Sequence, residues 1–476
     1  MNPVEARASE VRAGRRQARR EPAAPSFADA VRKRTAGADL EVALFDGRRR
    51  SCVNLDNAAT TPAFTDVIRR VGEFLPWYGS IHRGTGVKAA ASSRAYEAAR
   101  RVVAEWVGAD PDAHAVIFTH GTTDAINRAA HTLGDGRPLV LCTRMEHHSN
   151  LLPWRVRARV EIVDVRRGDG ALDLDQLGEK LRAARGAVKL VAVTGASNVT
   201  GLTPPLGAIA RLAHEHGAQV LADAAQLMPH RRVLMGAPGE PESLEFLAFS
   251  AHKMYAPFGA GALIGPRSAF ERAWPASVGG GAVRLVTDDD VVWADAPARE
   301  EAGTPNVVGA VALAAAIKVL SELGMDEIAR HELRVRSRAA ELLAKLPGVR
   351  LYGAQPTPDH GQVAVLAFDS TRVAHGLLAA ALGHEWGIGV RHGCFCAHPY
   401  IAGLLGLSPA AIAEMKSDAL RNDRSRFPGL VRLSFAAYNT IEEAEYAAEA
   451  VEAILTEGPR ARYALDRTTG EYLPEA

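Results

Sequence analysis

The chain has 476 residues, 47% of them hydrophobic, enough apolar material for two packed domains rather than one. Its 56 basic and 55 acidic residues nearly cancel, which excludes the global field expected of a nucleic-acid or acidic-membrane binder and leaves a small-molecule enzyme as the natural class. Four cysteines at irregular spacing (Cys52, Cys142, Cys394, Cys396) do not make a disulfide framework, and no stretch reaches the roughly 20 apolar residues of a membrane span, so a soluble, unexported, cytoplasmic protein is expected.

In chain order, residues 1–36 are rich in Arg, Ala and Glu without apolar periodicity, and an N-terminal extension over 1–50 is expected to be mobile or weakly helical. From residue 51 short β-branched runs alternate with helical patterns: AVIFTH (115–120), PLVLC (138–142), RVEIVDV (159–165), VKLVAV (188–193), AQVLAD (218–223), EFLAFS (245–250) and GALIG (261–265). This alternation predicts an α/β fold: a large domain over 51–320 built on a mainly parallel sheet flanked by helices. Ala-rich helical patterns over 307–323 and 328–346 lead out of it. The runs VRLYG (349–353), VAVLAF (363–368) and VRLSF (431–435), with a helix over 441–455, predict a smaller C-terminal α/β domain over 321–476.

Ligands of parallel sheets gather at the C-terminal ends of the strands, and several chemically capable residues fall there. Lys253 lies in FSAHKMYAPFGAG (249–261), between a buried strand and a glycine-rich turn. An amine that condenses with a carbonyl must be deprotonated, and burial near another cation lowers its pKa. Ser250 and His252 beside it carry donors for a phosphate. Asp223 ends the run AQVLAD, where a carboxylate can pair with a ring nitrogen; it reads equally well as a helix N-cap. Gly121, Thr122 and Thr123 open a helix whose free N–H groups suit a phosphate, or simply form its cap. His147 and His148 follow a strand where a ring can stack flat, and Asn198 sits in the turn SNVTG (197–201).

The chain resembles the class V aminotransferase family of fold-type I pyridoxal-phosphate enzymes, and within it the cysteine desulfurases and selenocysteine lyases. The resemblance is carried in family order by NLDNAATTP (54–62), HGTTDAIN (120–127), MEHHSNLLPW (145–154), LADAAQ (221–226), FSAHKMYAPFGAG, EAGTPNVVG (301–309), RHGCFCAHP (391–399) and RLSFAAYNT (432–440). It implies pyridoxal 5'-phosphate held by Lys253 as a Schiff base, Asp223 at the pyridine nitrogen, Gln226 and Asn198 at the phenolic oxygen and His147 stacked on the ring. Thr122, Thr123, Ser250 and His252 would hold the phosphate, with Thr304 reaching across from a second subunit, which implies a homodimer. Arg432 would clamp the carboxylate of an amino-acid substrate, with Arg391 nearby. Cys396 matches the family's persulfide-forming cysteine, a thiolate nucleophile that passes sulfur to an acceptor protein.

One departure stands out. Where the family branch has two histidines before that cysteine, this chain has Cys394 and Phe395. The substitution keeps a second reading open, another class V reaction (lyase, epimerase or aminotransferase) on a different amino acid. A metal on Cys394, Cys396 and His398 would lack a fourth ligand, so none is expected, and a Cys394–Cys396 link would be easily reduced.

Overall fold

The computed structural model describes residues 26–82, 84–134, 136–353 and 360–475. Its centre is a seven-stranded sheet of β1 (His114–Thr119), β2 (Leu139–Thr143), β3 (Arg159–Val163), β4 (Val188–Thr194), β5 (Gln219–Asp223), β6 (Phe246–Ser250) and β7 (Gly261–Pro266), in the order β1-β7-β6-β5-β4-β2-β3. Every pairing from β6 through β3 is parallel, while β7 runs antiparallel to both β6 and β1. The sheet is therefore mainly parallel, as the alternating pattern predicts.

The strands read as unbroken apolar runs because both faces are covered. Phe118, Val191, Val193, Ala222 and Phe249 face one core; Ile117, Val140, Ala192, Leu221 and Ala248 face the other. Helix α1 (Val87–Val107) packs with α3 (Val307–Leu323), whose sides are buried almost all round; helix α2 (Thr122–Thr132) covers β6 and β7. Among the described residues no single helix is long and apolar enough to cross a membrane; α3 and α4 (Met325–Leu343) qualify only as a pair, bent by 78°.

The C-terminal part forms an antiparallel sheet of β8 (Val349–Tyr352), β9 (Val365–Ser370), β10 (Arg391–Gly393) and β11 (Leu430–Ser434), ordered β8-β9-β11-β10. Its core, with Leu366, Phe368, Leu433 and residues of α4 and α5 (Ile441–Glu457), also takes in Val53 and Leu55. A parallel pairing of 53–54 with 388–389 fixes that early segment beside the second sheet.

Of the expected mobile extension, residues 1–25 lie outside the described residues. From Ser26 onward the chain is anchored. Ser26 and Asp29 form a capping box on the helix Phe27–Arg32, Val31 is fully buried, and Arg32 pairs with Glu443 at 2.6 Å. Arg34 reaches Asp66 at 2.8 Å, and residues 41–43 pair with 49–51 as a two-stranded ribbon.

Candidate active site

Five parallel strands end at one cavity of about 330 Å³. Thr122, Thr123, His147, Asn198, Asp223, Gln226, Ser250, His252, Lys253, Arg391, Cys396 and Arg432 all line it. Residues more than 300 positions apart thus meet because β1, β2, β4, β5 and β6 point the same way and β10 and β11 close the mouth. Thr304 does not join them; it lies in a separate recess with Ser80, His82 and Gly281.

At the floor, Asp223 is buried and Lys253 half-buried, and the two interact electrostatically. Burial brings the Lys253 amine down to about 8; Asp223 opposes that fall, and the Arg432 guanidinium adds to it. Burial raises Asp223, against a hydrogen bond to Oδ1 from the Ala225 N–H at 3.0 Å and the charge of Lys253. A cationic ring nitrogen at Asp223 would favour its ionised form.

The β1–α2 turn is shaped for an anion. Gly121 has φ 151°, a conformation suited to glycine, where the chain turns from β1 into the start of α2. Thr122 N–H donates to Ser250 Oγ at 2.7 Å, and the hydroxyls of Thr122 and Ser250 are also 2.7 Å apart, tying the helix start to the end of β6. No side chain fits between these elements: a Cβ on Gly261 would meet Gly121 Cα and Phe249 O, each at 2.6 Å. His252, brought down to about 4 by burial and by Lys253, stands 3.2 Å from the Thr60 hydroxyl.

His147 is a neutral ring: its Nδ1 accepts the Ser149 N–H at 3.1 Å, and burial together with Lys253 brings it to about 4. The loop carrying it hangs from Glu146, whose carboxyl accepts from Thr143 Oγ1 at 2.6 Å, Asn150 Nδ2 at 2.5 Å and Thr194 N–H at 2.9 Å. This ties the ends of β2 and β4 together. Burial pushes Glu146 up to about 8, with those hydrogen bonds working the other way.

At the mouth, Arg391 and Arg432 face each other across β10 and β11 and share Asp56, each at 2.8 Å through a different carboxylate oxygen. Arg432 also donates to Asn198 O at 3.0 Å and lies 4.9 Å from the centre of the Phe395 ring. Phe395 and Cys396 both take left-handed backbone angles, φ 48° and 54°, a conformation costing roughly 1–3 kcal/mol per non-glycine residue. The turn is held by Asn198 Nδ2 donating to Phe395 O at 2.7 Å, His148 N–H to Cys396 O at 2.8 Å and Ala397 N–H to Cys394 O at 2.8 Å. Cys396 is exposed; Cys394 is half-buried, its thiol donating to Pro428 O at 3.1 Å.

Asp56, Thr60 and Glu146 were not singled out from sequence, and Phe395 only as a departure from the family pattern. Asp56 and Thr60 belong to NLDNAATTP, and a lone acid there, with two arginines in later motifs, was the available signal. Thr61 accompanies Thr60: its N–H donates to His252 O at 3.0 Å and its hydroxyl to Lys253 O at 2.9 Å, so this loop grips the lysine turn.

A mainly parallel α/β sheet that delivers a lysine and a buried carboxylate to one cavity, beside a helix start cleared of side chains, has the form of a cofactor-binding α/β enzyme. The sequence profile of the aminotransferase class-V family matches residues 53–446, and the chain belongs to that family, whose members are pyridoxal-phosphate enzymes. It is 32% identical to a cysteine desulfurase of Haloferax volcanii over 446 residues, 90% of this chain and 97% of the relative. It is 38% identical to a cysteine desulfurase of Dickeya dadantii over 360 residues, 73% of this chain and 84% of the relative. Among solved structures it superposes on the apo cysteine desulfurase of Thermococcus onnurineus with TM-score 0.74 at 29% identity, covering 85% and 95% of the two chains. The S-sulfonic acid form of an Escherichia coli cysteine desulfurase gives 0.73 at 30%, covering 91% and 99%. The architecture is fold-type I, as the sequence resemblance implied.

The residues present fit the cofactor. Among the described residues, the Gln226 amide oxygen is buried without a hydrogen-bond partner and its nitrogen stands 3.4 Å from His230 Nε2, so this side-chain amide is left for a polar ligand. The anion-shaped turn, the amine and the carboxyl surround the same space.

Proposed function

We propose that the chain is a pyridoxal-phosphate-dependent cysteine desulfurase, cleaving the C–S bond of L-cysteine or the C–Se bond of its selenium analogue. The observation that carries the reading is the convergence of Lys253, Asp223 and Cys396 on one cavity. In this reading Lys253 anchors the cofactor, Asp223 faces its ring nitrogen, His147 lies on the ring, and Gln226 and Asn198 serve the phenolic oxygen. Thr122, Thr123, Ser250 and His252 hold the phosphate, and Thr304 of a second copy completes that site in a homodimer. When bound, the cofactor supplies an electron sink for a carbanion at the substrate Cα.

The Lys253 amine would take the substrate Cα proton, which its depressed basicity allows near neutral pH. Arg432 receives the substrate carboxylate, with Arg391 and Asp56 fixing its position. The Cys396 thiolate attacks the substrate sulfur; the new S–S bond leaves a persulfide, the C–S bond electrons stay on carbon, and protonation yields alanine. Exposure of Cys396 supports onward delivery to a thiol-bearing acceptor protein. Four free thiols support a reducing, cytoplasmic setting.

Cys396→Ala tests the reading against another class V reaction. It should retain the cofactor's visible absorbance and lose alanine formation from cysteine, measured by amino-acid analysis; undiminished alanine would exclude the persulfide route. Lys253→Ala should lose both absorbance and activity.

A further inference from the structure

The turn that presents Cys396 carries a second thiol that the reaction above does not use. Cys394 and Cys396 occupy the first and third positions of a tight turn closed by the Ala397 N–H to Cys394 O hydrogen bond. Two consecutive 3.8 Å Cα steps folded into such a turn bring the flanking Cα atoms to roughly 5–6 Å, inside the range a disulfide spans. Both thiols are free. Cys396 lines the cavity, Cys394 does not, and the charge on Cys396 acts on Cys394. The sulfur of Cys394 is held by one weak contact, the carbonyl of Pro428. Phe395 between them is anchored through its carbonyl and its ring, so the two cysteines are hinged about a fixed residue.

We propose that Cys394 is the resolving thiol of the Cys396 persulfide, giving the enzyme a built-in route that releases free sulfide when no acceptor takes the sulfur. This rests on the desulfurase reading. The Cys394 thiolate attacks the inner sulfur of the Cys396 persulfide. An S–S bond forms between the two cysteines, the bond to the outer sulfur breaks, and that sulfur leaves with the electron pair as hydrosulfide; the proton lost by Cys394 goes to solvent. The outer sulfur is reduced and the two cysteines are oxidised. A dithiol reductant then restores both thiols, so each full cycle converts cysteine and a dithiol into alanine, sulfide and the oxidised dithiol. Burial and the neighbouring Cys396 hold Cys394 up at about 11, so only a small thiolate fraction exists at neutral pH. The internal step is therefore slower than capture by a docked thiolate, and sulfur goes to an acceptor first whenever one is bound.

The experiment is a single turnover of the cofactor-loaded full chain with one equivalent of L-cysteine and no added thiol. It compares wild type, Cys394→Ser and Cys394→Ala; samples are alkylated and read by intact and peptide mass spectrometry, with alanine and sulfide quantified. All three should keep the cofactor's visible absorbance and form equal alanine. Wild type should release sulfide and yield a 394–396 cross-linked peptide, two hydrogens lighter and alkylated only after reduction. The variants should hold one extra sulfur on Cys396 and release about tenfold less sulfide or lower. Equal sulfide release and an equally persistent persulfide in wild type and variants would overturn the resolving role. Absence of alanine in all three would instead overturn the desulfurase reading, and this inference with it.

Discussion

The amine of Lys253 should behave as a base of about 8 in the cofactor-free protein, a fall from 10.5 caused chiefly by burial. That fall corresponds to roughly 3 kcal/mol favouring the neutral amine. At pH 7 about one molecule in ten then carries the nucleophilic form, where an exposed lysine would offer about one in three thousand, a gain of about 300-fold. The rate at which the apo-protein captures pyridoxal phosphate, followed by visible absorbance, should rise about tenfold per pH unit below 8 and level off above it. Two substitutions separate the causes. Arg432→Gln removes a cation that lowers the amine and should move the plateau to higher pH, whereas Asp223→Asn removes the opposing anion and should move it lower. The same shift has a stability counterpart. A base whose folded pKa lies below its unfolded value binds fewer protons when folded, so apo-protein stability should rise with pH between about 8 and 10.5, and Lys253→Met should flatten that slope. A capture rate still climbing steeply at pH 10 would refute the assignment of a depressed amine.

Asp223→Asn should also cut turnover of the loaded enzyme by about 10²–10⁴-fold with little change in substrate binding, read as kcat against KM, because an amide cannot hold a proton on a ring nitrogen. Gly261→Ala should lower thermal stability by about 1–3 kcal/mol, since its Cβ would strike Gly121 Cα and Phe249 O, each 2.6 Å away. Unchanged melting would mean that the close approach of β7 to the phosphate turn is not real.

The central sheet was legible because its strands, buried on both faces, read as continuous apolar runs bounded by turns, and because function-bearing residues fall at their C-terminal ends. Helix α3 matches the expected 307–323. The helix Phe27–Arg32 was hidden inside an arginine-rich stretch: its two buried side chains, Ala28 and Val31, and its Ser26–Asp29 cap are too local a signal to outweigh the surrounding charge. At the cavity, residues that a motif carries, such as Lys253 and Asp223, were placed together by the sequence alone. Those whose role exists only by juxtaposition were not. Asp56 gains its meaning from two arginines on adjacent strands, and Glu146 from a hydroxyl and an N–H supplied by two different strand ends. The left-handed turn at Phe395 and Cys396 was likewise invisible, since neither residue type announces that backbone conformation.

The bridge from Asp56 to Arg432 joins positions 376 residues apart. A nascent chain that has emerged through β7 already contains Lys253, Asp223 and the β1–α2 turn, yet it lacks the strand that shuts the mouth. Closure awaits the last tenth of translation. Fragments ending before residue 432 would therefore lack the Asp56–Arg432 bridge that helps close the cavity.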